Sequence, residues 1–444
     1  MDLIRRRAAI VLFLCLCAAG PLFSVWRVHD WGNRLSTVDP YSEANVLREV
    51  RHFIEEGPTR YYGLGKVYYP GMYPTEGFAA EPDVSKFGVS VEGIYTHYPP
   101  GPEYLAYAAA ELFGPEPVSR LRLFPIMLGW AAMTFFGLAI RQRFGAAAGW
   151  LVLGACTITP TVTDGFVSLH SQGYALALLL FEIGLTIGGK ARLLPFALLG
   201  FLQGWLSFDY VFLVTFTPLA LELVMPRVDP VYRPDWKRAV SRTILAGGGF
   251  AAAHVLHFFQ ISAYWGTFSA AAGDLAGAAA HRAGMETTHG PFSYLTQAVA
   301  NSGYYFYGLH PFSAALSPPD PDNIADWSMF RFLGLSLGPW WLLVTVALMI
   351  WSHLNPKSPA ASLRTGWHVV SAAGMAVTSL WLVVMVNHGL AHRHFLYRHQ
   401  FLMFFFMILF ASVTAHRLWV AADMSARWLN RSRIVAVSRS GSPP

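Results

Sequence analysis

The chain has 444 residues, of which 54% are hydrophobic and only 13% are charged. A soluble domain carries about a quarter charged residues, so the composition excludes a soluble globular enzyme and predicts an all-α, polytopic membrane helix bundle. The net charge of +6 does not indicate a nucleic-acid partner, because the basic residues follow a membrane-topology pattern. Cys15, Cys17 and Cys156 lie in apolar runs, so no disulfide framework is predicted.

Apolar runs along the chain predict about ten transmembrane helices. Several of them approach the ~20 residues that a helix needs to cross a bilayer. The first run follows Arg5-Arg6-Arg7 and is interpreted as an uncleaved signal anchor. The runs cover residues 8–27, 120–140, 146–163, 172–188, 193–207, 209–225, 240–262, 334–352, 367–386 and 396–416.

Basic residues concentrate in alternate connections between these runs, and most carboxylates lie in the others. The positive-inside rule therefore predicts a multi-pass protein of the inner (plasma) membrane with both termini in the cytoplasm. The same rule predicts two large extracytoplasmic loops, at residues 28–119 and 263–333. Residues 1–430 are predicted to form a single transmembrane domain, and residues 431–444 a disordered cytoplasmic tail.

The first outer loop contains two predicted interfacial helices. The first begins near Asp39, ends at Gly57-Pro58 and is amphipathic, so it is expected to lie flat on the bilayer surface. The second runs from about Pro102 to Gly114 and is too short to span a membrane. The apolar stripe of the first helix comprises Val46, Leu47, Val50, Phe53 and Ile54, and its polar side comprises Arg48, Arg51, His52, Glu55 and Glu56.

Asp39 has two interpretations on local sequence alone. Asp39-Pro40 is a favourable pair for the N-cap and first position of a helix, since the carboxylate accepts a backbone N–H bond. Alternatively, a carboxylate at the boundary of water and lipid is placed to act as a catalytic base. The local sequence leaves both interpretations open.

Several motifs follow one another in an informative order. An acidic residue after the first span is followed by a Pro-Pro sequence before a short helix, an Arg-Leu pair entering the next span, and a basic-aromatic-Gly turn after it. A further basic-aromatic stretch precedes the last span. These motifs are Asp39, Thr96-His97-Tyr98-Pro99-Pro100-Gly101-Pro102-Glu103-Tyr104-Leu105, Leu112-Phe113-Gly114, Arg120-Leu121, Arg141-Gln142-Arg143-Phe144-Gly145, Thr159-Pro160 and His392-Arg393-His394-Phe395-Leu396-Tyr397-Arg398-His399.

In this order the chain resembles the GT-C superfamily of integral-membrane glycosyltransferases, particularly the bacterial protein-mannosyltransferase and aminoarabinose-transferase branch. The resemblance covers residues 8–210 in order and spacing, residues 385–416 loosely, and residues 225–385 only in hydropathy. Many members have two adjacent acids where this chain has Asp39-Pro40. The resemblance implies inverting transfer of a sugar from a polyprenyl phosphate to an acceptor on the extracytoplasmic face, in contact with membrane lipid.

Site residues follow from the resemblance and the chemistry it requires. Asp39 is the expected general base, with Glu43 and Asp164 as further catalytic acids. His97 and Tyr98 are expected to contact the donor. A leaving phosphate needs cationic stabilisation, and arginines on the outer side run against the positive-inside rule. Arg393 and Arg398, with His399, are therefore the expected phosphate-binding residues.

Other interpretations stay open. A divalent metal ion held by His388, His392, His394 and His399 with Asp39 or Asp164 is an alternative way to stabilise the phosphate. A transporter or flippase for a lipid-linked or anionic solute is expected if Glu182 and Asp209 line a path across the membrane. A non-catalytic scaffold of the same fold is the third alternative.

Overall fold

The structure is a computed structural model that describes residues 2–29, 31–33, 35, 40–67, 93–157, 162, 165–189, 192–283, 350, 354, 360–384 and 401–440. Within these ranges the chain is helical, apart from turns and an isolated antiparallel bridge between Lys66 and Ile94. The helices are α1 (Asp2–His29), α2 (Pro40–Glu56), α3 (Gly101–Phe113), α4 (Val118–Leu121), α5 (Leu123–Phe144), α6 (Ala146–Thr157), α7 (Ser171–Gly188), α8 (Leu194–Leu206), α9 (Val211–Val228), α10 (Trp236–Trp265), α11 (Phe268–Ala283), α12 (Ala360–Val384) and α13 (Phe401–Ser440).

Five segments of the described chain are long and apolar enough to cross a membrane. They are Val118–Phe144, Ser171–Gly188, Phe208–Val228, Trp236–Trp265 and Phe401–Val420. The shorter apolar helices α6 and α8 coincide with two further predicted runs, whereas the run at 334–352 lies almost entirely outside the described residues. The prediction of an all-α, polytopic membrane protein is confirmed.

The bundle core forms where α5, α7, α9, α12 and α13 meet. Aromatic contacts hold it together, such as the edge-to-face pair of Phe136 and Phe405, whose ring centroids lie 5.7 Å apart. Glycines bring α8 and α10 into close contact, because a Cβ atom on Gly200 would lie 2.0 Å from the Ala246 carbonyl oxygen. Small residues commonly allow such close approach between membrane helices.

The environment of α2 differs from the prediction in one respect. Val46, Leu47, Val50 and Phe53 are buried as expected, and the cluster around them includes residues of α3, α4 and the turn before α7. Protein therefore covers this face, where the sequence predicted contact with lipid. His52, assigned to the polar side, is fully buried, and burial lowers its pKa to about 4.

Two further segments also differ from their predicted structure. The second outer loop was predicted to begin at residue 263, but α10 continues to Trp265 and α11 occupies Phe268–Ala283. The tail was predicted to be disordered from residue 431, but α13 continues as a helix to Ser440. Local composition did not reveal these helices, since small residues dominate α11 and polar residues dominate the end of α13.

The two ends of the bundle carry different chemistry. Arg122 precedes α5 and contacts the first outer loop, whereas Arg143 lies in the last turn of α5 and contacts Asp229 and Ile187. These two arginines are separated by about 32 Å along the helix, at 1.5 Å per residue. The end with Arg143 also contains Arg417, which contacts Asp229. Arg143, Asp229 and Arg417 belong to three segments that the sequence predicts to be cytoplasmic.

Candidate active site

A buried ion pair joins the first outer loop to the membrane helices. Arg122 donates to both carboxylate oxygens of Glu43, with Nη1–Oε1 at 2.7 Å and Nη2–Oε2 at 2.8 Å. The Leu169 amide donates to Glu43 Oε1 at 2.9 Å, and Arg122 also donates to the Val167 carbonyl oxygen at 2.7 Å. Both side chains are 0% exposed. Glu43 therefore fixes the first turn of α2 against α5 and the turn that precedes α7.

Two more carboxyl groups are buried between α2 and α3. Glu49 is 3% exposed and Glu103 is 9% exposed. Burial, followed by the negative charge of Glu103, raises the pKa of Glu49 well above its ordinary value. Burial likewise raises the pKa of Glu103 to about 8. Carboxyl groups that hold protons near neutral pH can donate hydrogen bonds and serve in acid–base chemistry.

Unpartnered polar atoms lie beside these carboxyl groups. Within the described chain, Glu103 Oε2 and the Tyr174 hydroxyl are buried without a hydrogen-bond partner. Tyr174 lies within electrostatic reach of Glu43, Glu103 and Arg122. Buried polar groups are normally satisfied by protein or water, so the lack of a partner sets these two atoms apart. We refer to Glu43, Glu49, Glu103, Arg122 and Tyr174 as the carboxyl cluster.

The segment before the Pro-Pro motif is held by α10 and α11. His97 Nε2 lies 3.2 Å from Asp274 Oδ1, and His257 Nε2 lies 2.9 Å from the Thr96 carbonyl oxygen. Burial tends to raise the pKa of Asp274. The hydrogen bond from His97 acts in the other direction and helps to lower this pKa below its ordinary value. The loop beyond α2 is anchored to the same helix end, since Gln260 donates to the Tyr62 carbonyl oxygen at 2.9 Å.

Tyr98 belongs to an aromatic surface at the same end of the bundle. Its ring stacks on Tyr95, with centroids 5.9 Å apart, and lies 6.0 Å from the ring of Phe208. Phe208 in turn stacks on His254 with centroids 4.2 Å apart. Asp209 follows Phe208 in a short 3-10 turn between α8 and α9. His97 and Tyr98 thus lie within one connected set of side chains.

The other predicted site residues fall elsewhere or cannot be placed. Among the three predicted catalytic acids, Glu43 is the one that the structure describes, and both its oxygens are engaged by the ion pair with Arg122. Asp39, Asp164, Arg393, Arg398 and His399 lie outside the described residues. Their predicted roles as base, second acid and phosphate-binding residues stay predictions.

A metal site is not formed by the part of the chain that the structure describes. No group of three or more His, Cys, Asp or Glu side chains there could hold a metal ion. The histidines of the metal alternative, His388, His392, His394 and His399, lie outside that part, as do Asp39 and Asp164.

Sequence reasoning missed Glu49, Glu103 and Arg122, although a signal was present. Glu43 and Glu49 fall on the same face of α2 as Val46 and Val50, because positions three and four apart share a helix face. A carboxylate on an apolar face is unusual and indicates either a buried partner or a function. Arg122 directly follows the Arg120-Leu121 pair at the start of a span, where a charge is costly without a partner.

No protein-family model and no curated protein matches the chain. Among solved structures, the chain is similar to the Archaeoglobus fulgidus oligosaccharyltransferase tethered with an acceptor peptide, with 17% identity and a TM-score of 0.42 over 92% of this chain and 50% of that one. It is also similar to ArnT from Cupriavidus metallidurans bound to undecaprenyl phosphate, with 14% identity and a TM-score of 0.41 over 91% and 77% of the two chains.

The chain thus spans about half the length of the archaeal enzyme. Identities of 14–17% and TM-scores at or below 0.42 do not assign an activity, a donor or an acceptor to this chain.

Proposed function

We propose that this protein is a membrane glycosyltransferase that moves a sugar from a polyprenyl-phosphate donor to an acceptor hydroxyl on the extracytoplasmic face. The observation that carries the proposal is the carboxyl cluster, in which Glu103 Oε2 and the Tyr174 hydroxyl are buried without partners in the described chain. Such groups match the hydroxyls of a sugar, which both donate and accept hydrogen bonds.

In the proposed reaction, the Asp39 carboxylate takes the proton of the acceptor hydroxyl. The acceptor oxygen forms a bond to the anomeric carbon as the bond from that carbon to the phosphate oxygen breaks. The electron pair of the broken bond stays on the polyprenyl phosphate, and configuration at the anomeric carbon inverts. Arg393 and Arg398 are the proposed partners of the phosphate, since Arg binds phosphate in bidentate fashion.

Residues of the first outer loop hold the sugar in this proposal. Glu103 carries a proton at neutral pH, because its pKa is raised to about 8, and can therefore donate to a sugar hydroxyl. The half-buried rings of Tyr95 and Tyr98 offer an apolar surface for a sugar ring. Glu43 is a positioning residue in this scheme, since its ion pair with Arg122 fixes the beginning of α2, directly after Asp39 in sequence.

The test is a transfer assay with purified protein in nanodiscs. Polyprenyl phosphates carrying radiolabelled mannose, glucose or aminoarabinose serve as donors, and an envelope extract serves as the acceptor. Wild-type protein should convert at least one donor to free polyprenyl phosphate. Asp39→Asn should lower the rate by about 10²-fold or more, as expected for loss of a general base. Glu111→Gln, on the exposed side of α3, is the control.

A second candidate function, transport of a lipid-linked or anionic solute, is favoured by Glu182. This carboxyl group is fully buried within α7, and both its oxygens lack a hydrogen-bond partner in the described chain. Ionisable groups at membrane depth often mark a solute path. Wild-type protein that converts no donor but moves a labelled lipid-linked sugar between leaflets would favour transport over transfer.

A further inference from the structure

A second candidate site lies at the end of the bundle opposite the carboxyl cluster. A cavity of about 350 Å³ opens there between the ends of α5 and α9 and the middle of α13. Its polar lining comprises Arg143, Asp229, His416 and Arg417. Cavities that bind small molecules begin at about 300 Å³, so this one is large enough for a phosphate and its adjoining glycerol group.

The cavity carries an excess of positive charge. Arg143 Nη2 lies 3.2 Å from Asp229 Oδ2, and Arg417 Nη2 lies 3.4 Å from Asp229 Oδ1. One carboxylate thus faces two guanidinium groups, which leaves one positive charge without a counterion among the lining residues. His416 Nδ1 is buried and has no hydrogen-bond partner in the described chain. An anionic ligand would balance this positive charge.

The two arginines differ in how firmly they are held. Arg143 also donates to the Ile187 carbonyl oxygen at 3.3 Å and lies over the Tyr232 ring at 5.0 Å, so its guanidinium is fixed. Arg417 is 41% exposed, and its contact with Asp229 is its one hydrogen bond to the described residues. Because a guanidinium carries five N–H donors, Arg417 keeps donors for a phosphate.

The surroundings of the cavity favour a lipid over a soluble anion. Phe144 and Val420 form apolar walls, and Val420 belongs to the candidate span Phe401–Val420. On the two positions of α13 that precede Val420, Leu418 is 60% exposed and Trp419 is 76% exposed. Trp419 lies just beyond the apolar run predicted at 396–416, and an exposed Trp in that position is typical of the membrane interface. A headgroup in the cavity could therefore keep its acyl chains against an apolar surface.

We propose that this cavity binds the phosphate of an anionic phospholipid such as phosphatidylglycerol. Arg417 and Arg143 hold the phosphate oxygens, and the lipid ties α5, α9 and α13 together at this end. Basic pockets between membrane helices bind anionic headgroups by the same chemistry. The proposal does not depend on the glycosyltransferase activity, because the cavity lies about 32 Å from Arg122 along α5.

Binding can be measured on the full-length protein in phosphatidylcholine nanodiscs. We expect added phosphatidylglycerol to raise the thermal midpoint and to appear as a bound adduct in native mass spectrometry. Arg417→Gln should weaken phosphatidylglycerol binding by about 10-fold, the loss of one charge-assisted interaction. Arg192→Gln removes an exposed arginine between α7 and α8, outside the cavity, and should bind as the wild type does.

Three results would overturn the proposal. Equal shifts with phosphatidylglycerol and phosphatidylcholine would exclude charge recognition. Unchanged binding by Arg417→Gln would exclude this cavity. An equal shift with inorganic phosphate alone would replace the lipid by a soluble anion. If Arg417→Gln does not fold, Val420→Glu places a negative charge on the exposed wall and should give the same loss of binding.

Discussion

Glu43 and Arg122 are 79 positions apart in the chain and form a bidentate, fully buried ion pair with bonds of 2.7 and 2.8 Å. Because the Leu169 amide donates to the same carboxylate, one side chain of α2 joins three separate segments. The arrangement of the first outer loop on the bundle therefore depends on this carboxylate.

Glu43→Gln should destabilise the protein by about 3–5 kcal/mol, because Arg122 would be left as a buried charge without its counterion. The measurement is thermal unfolding in detergent, followed by circular dichroism. Glu55→Gln is the matched control on the same helix. Its ion pair with Arg51 is partly exposed, and surface pairs contribute at most about 1 kcal/mol. Equal destabilisation by both variants would refute the special role of Glu43.

The raised pKa of Glu103 predicts a pH dependence of stability. The unfolded side chain titrates at its ordinary pKa of 4.5, whereas the folded one titrates at about 8. Between these values the folded protein holds a proton that the unfolded chain lacks, so the free energy of unfolding falls as pH rises through this window. We expect the thermal midpoint of the wild type to fall steadily from about pH 5 to about pH 8.

Glu103→Gln should flatten this pH dependence, because the amide is neutral at every pH. The variant should match the wild type near the lower end of the window and exceed its thermal midpoint near the upper end. Glu111→Gln on the exposed side of α3 should retain the full wild-type slope. A wild-type slope that persists in Glu103→Gln would assign the titration to another group, with Glu49 the first to test.

The bundle, its helical class and most of its spans could be predicted from the sequence, because long apolar runs leave few alternatives. The order of motifs also directed attention to the first outer loop, which contributes Glu43, Glu49 and Glu103 to the carboxyl cluster. The cluster itself was missed. Its members come from α2, α3 and α7 and, for Arg122, from the position just before α5, and no spacing within the sequence brings Glu49, Glu103 and Tyr174 together.

Two misassignments on α2 have a common physical origin. His52 was assigned to solvent and Ile54 to the apolar stripe, yet His52 is fully buried and Ile54 is 37% exposed. Periodicity gives the direction of a helix face but not the width of the surface that covers it. Here α3 and the loop after α2 cover a wider arc, on which His52 packs against Tyr61 with ring centroids 5.4 Å apart.

The contact between His97 and Asp274 predicts separate effects on structure and on binding. Asp274→Asn weakens the contact at 3.2 Å, so we expect faster hydrogen exchange at residues 93–98. His97→Ala should produce the same change in exchange. If His97 also binds the donor, His97→Ala should in addition raise KM by about 10-fold, the loss of one hydrogen bond to a charged group. Equal kinetics in both variants would restrict His97 to holding the loop.

Glu182 provides the sharpest test between transfer and transport. It lies 11 residues beyond Ser171 in α7, about 16 Å from the end that carries the carboxyl cluster, so a transferase should not need its carboxyl group. We expect Glu182→Gln to keep the wild-type rate of donor conversion within about 2-fold, because the amide preserves the volume of the buried side chain. The measurement pairs this rate with movement of a labelled lipid-linked sugar between the leaflets of a vesicle. If the wild type converts no donor, loss of that movement in Glu182→Gln together with unaltered unfolding would show that transport depends on Glu182, and transport would then replace transfer as the proposed activity of this chain.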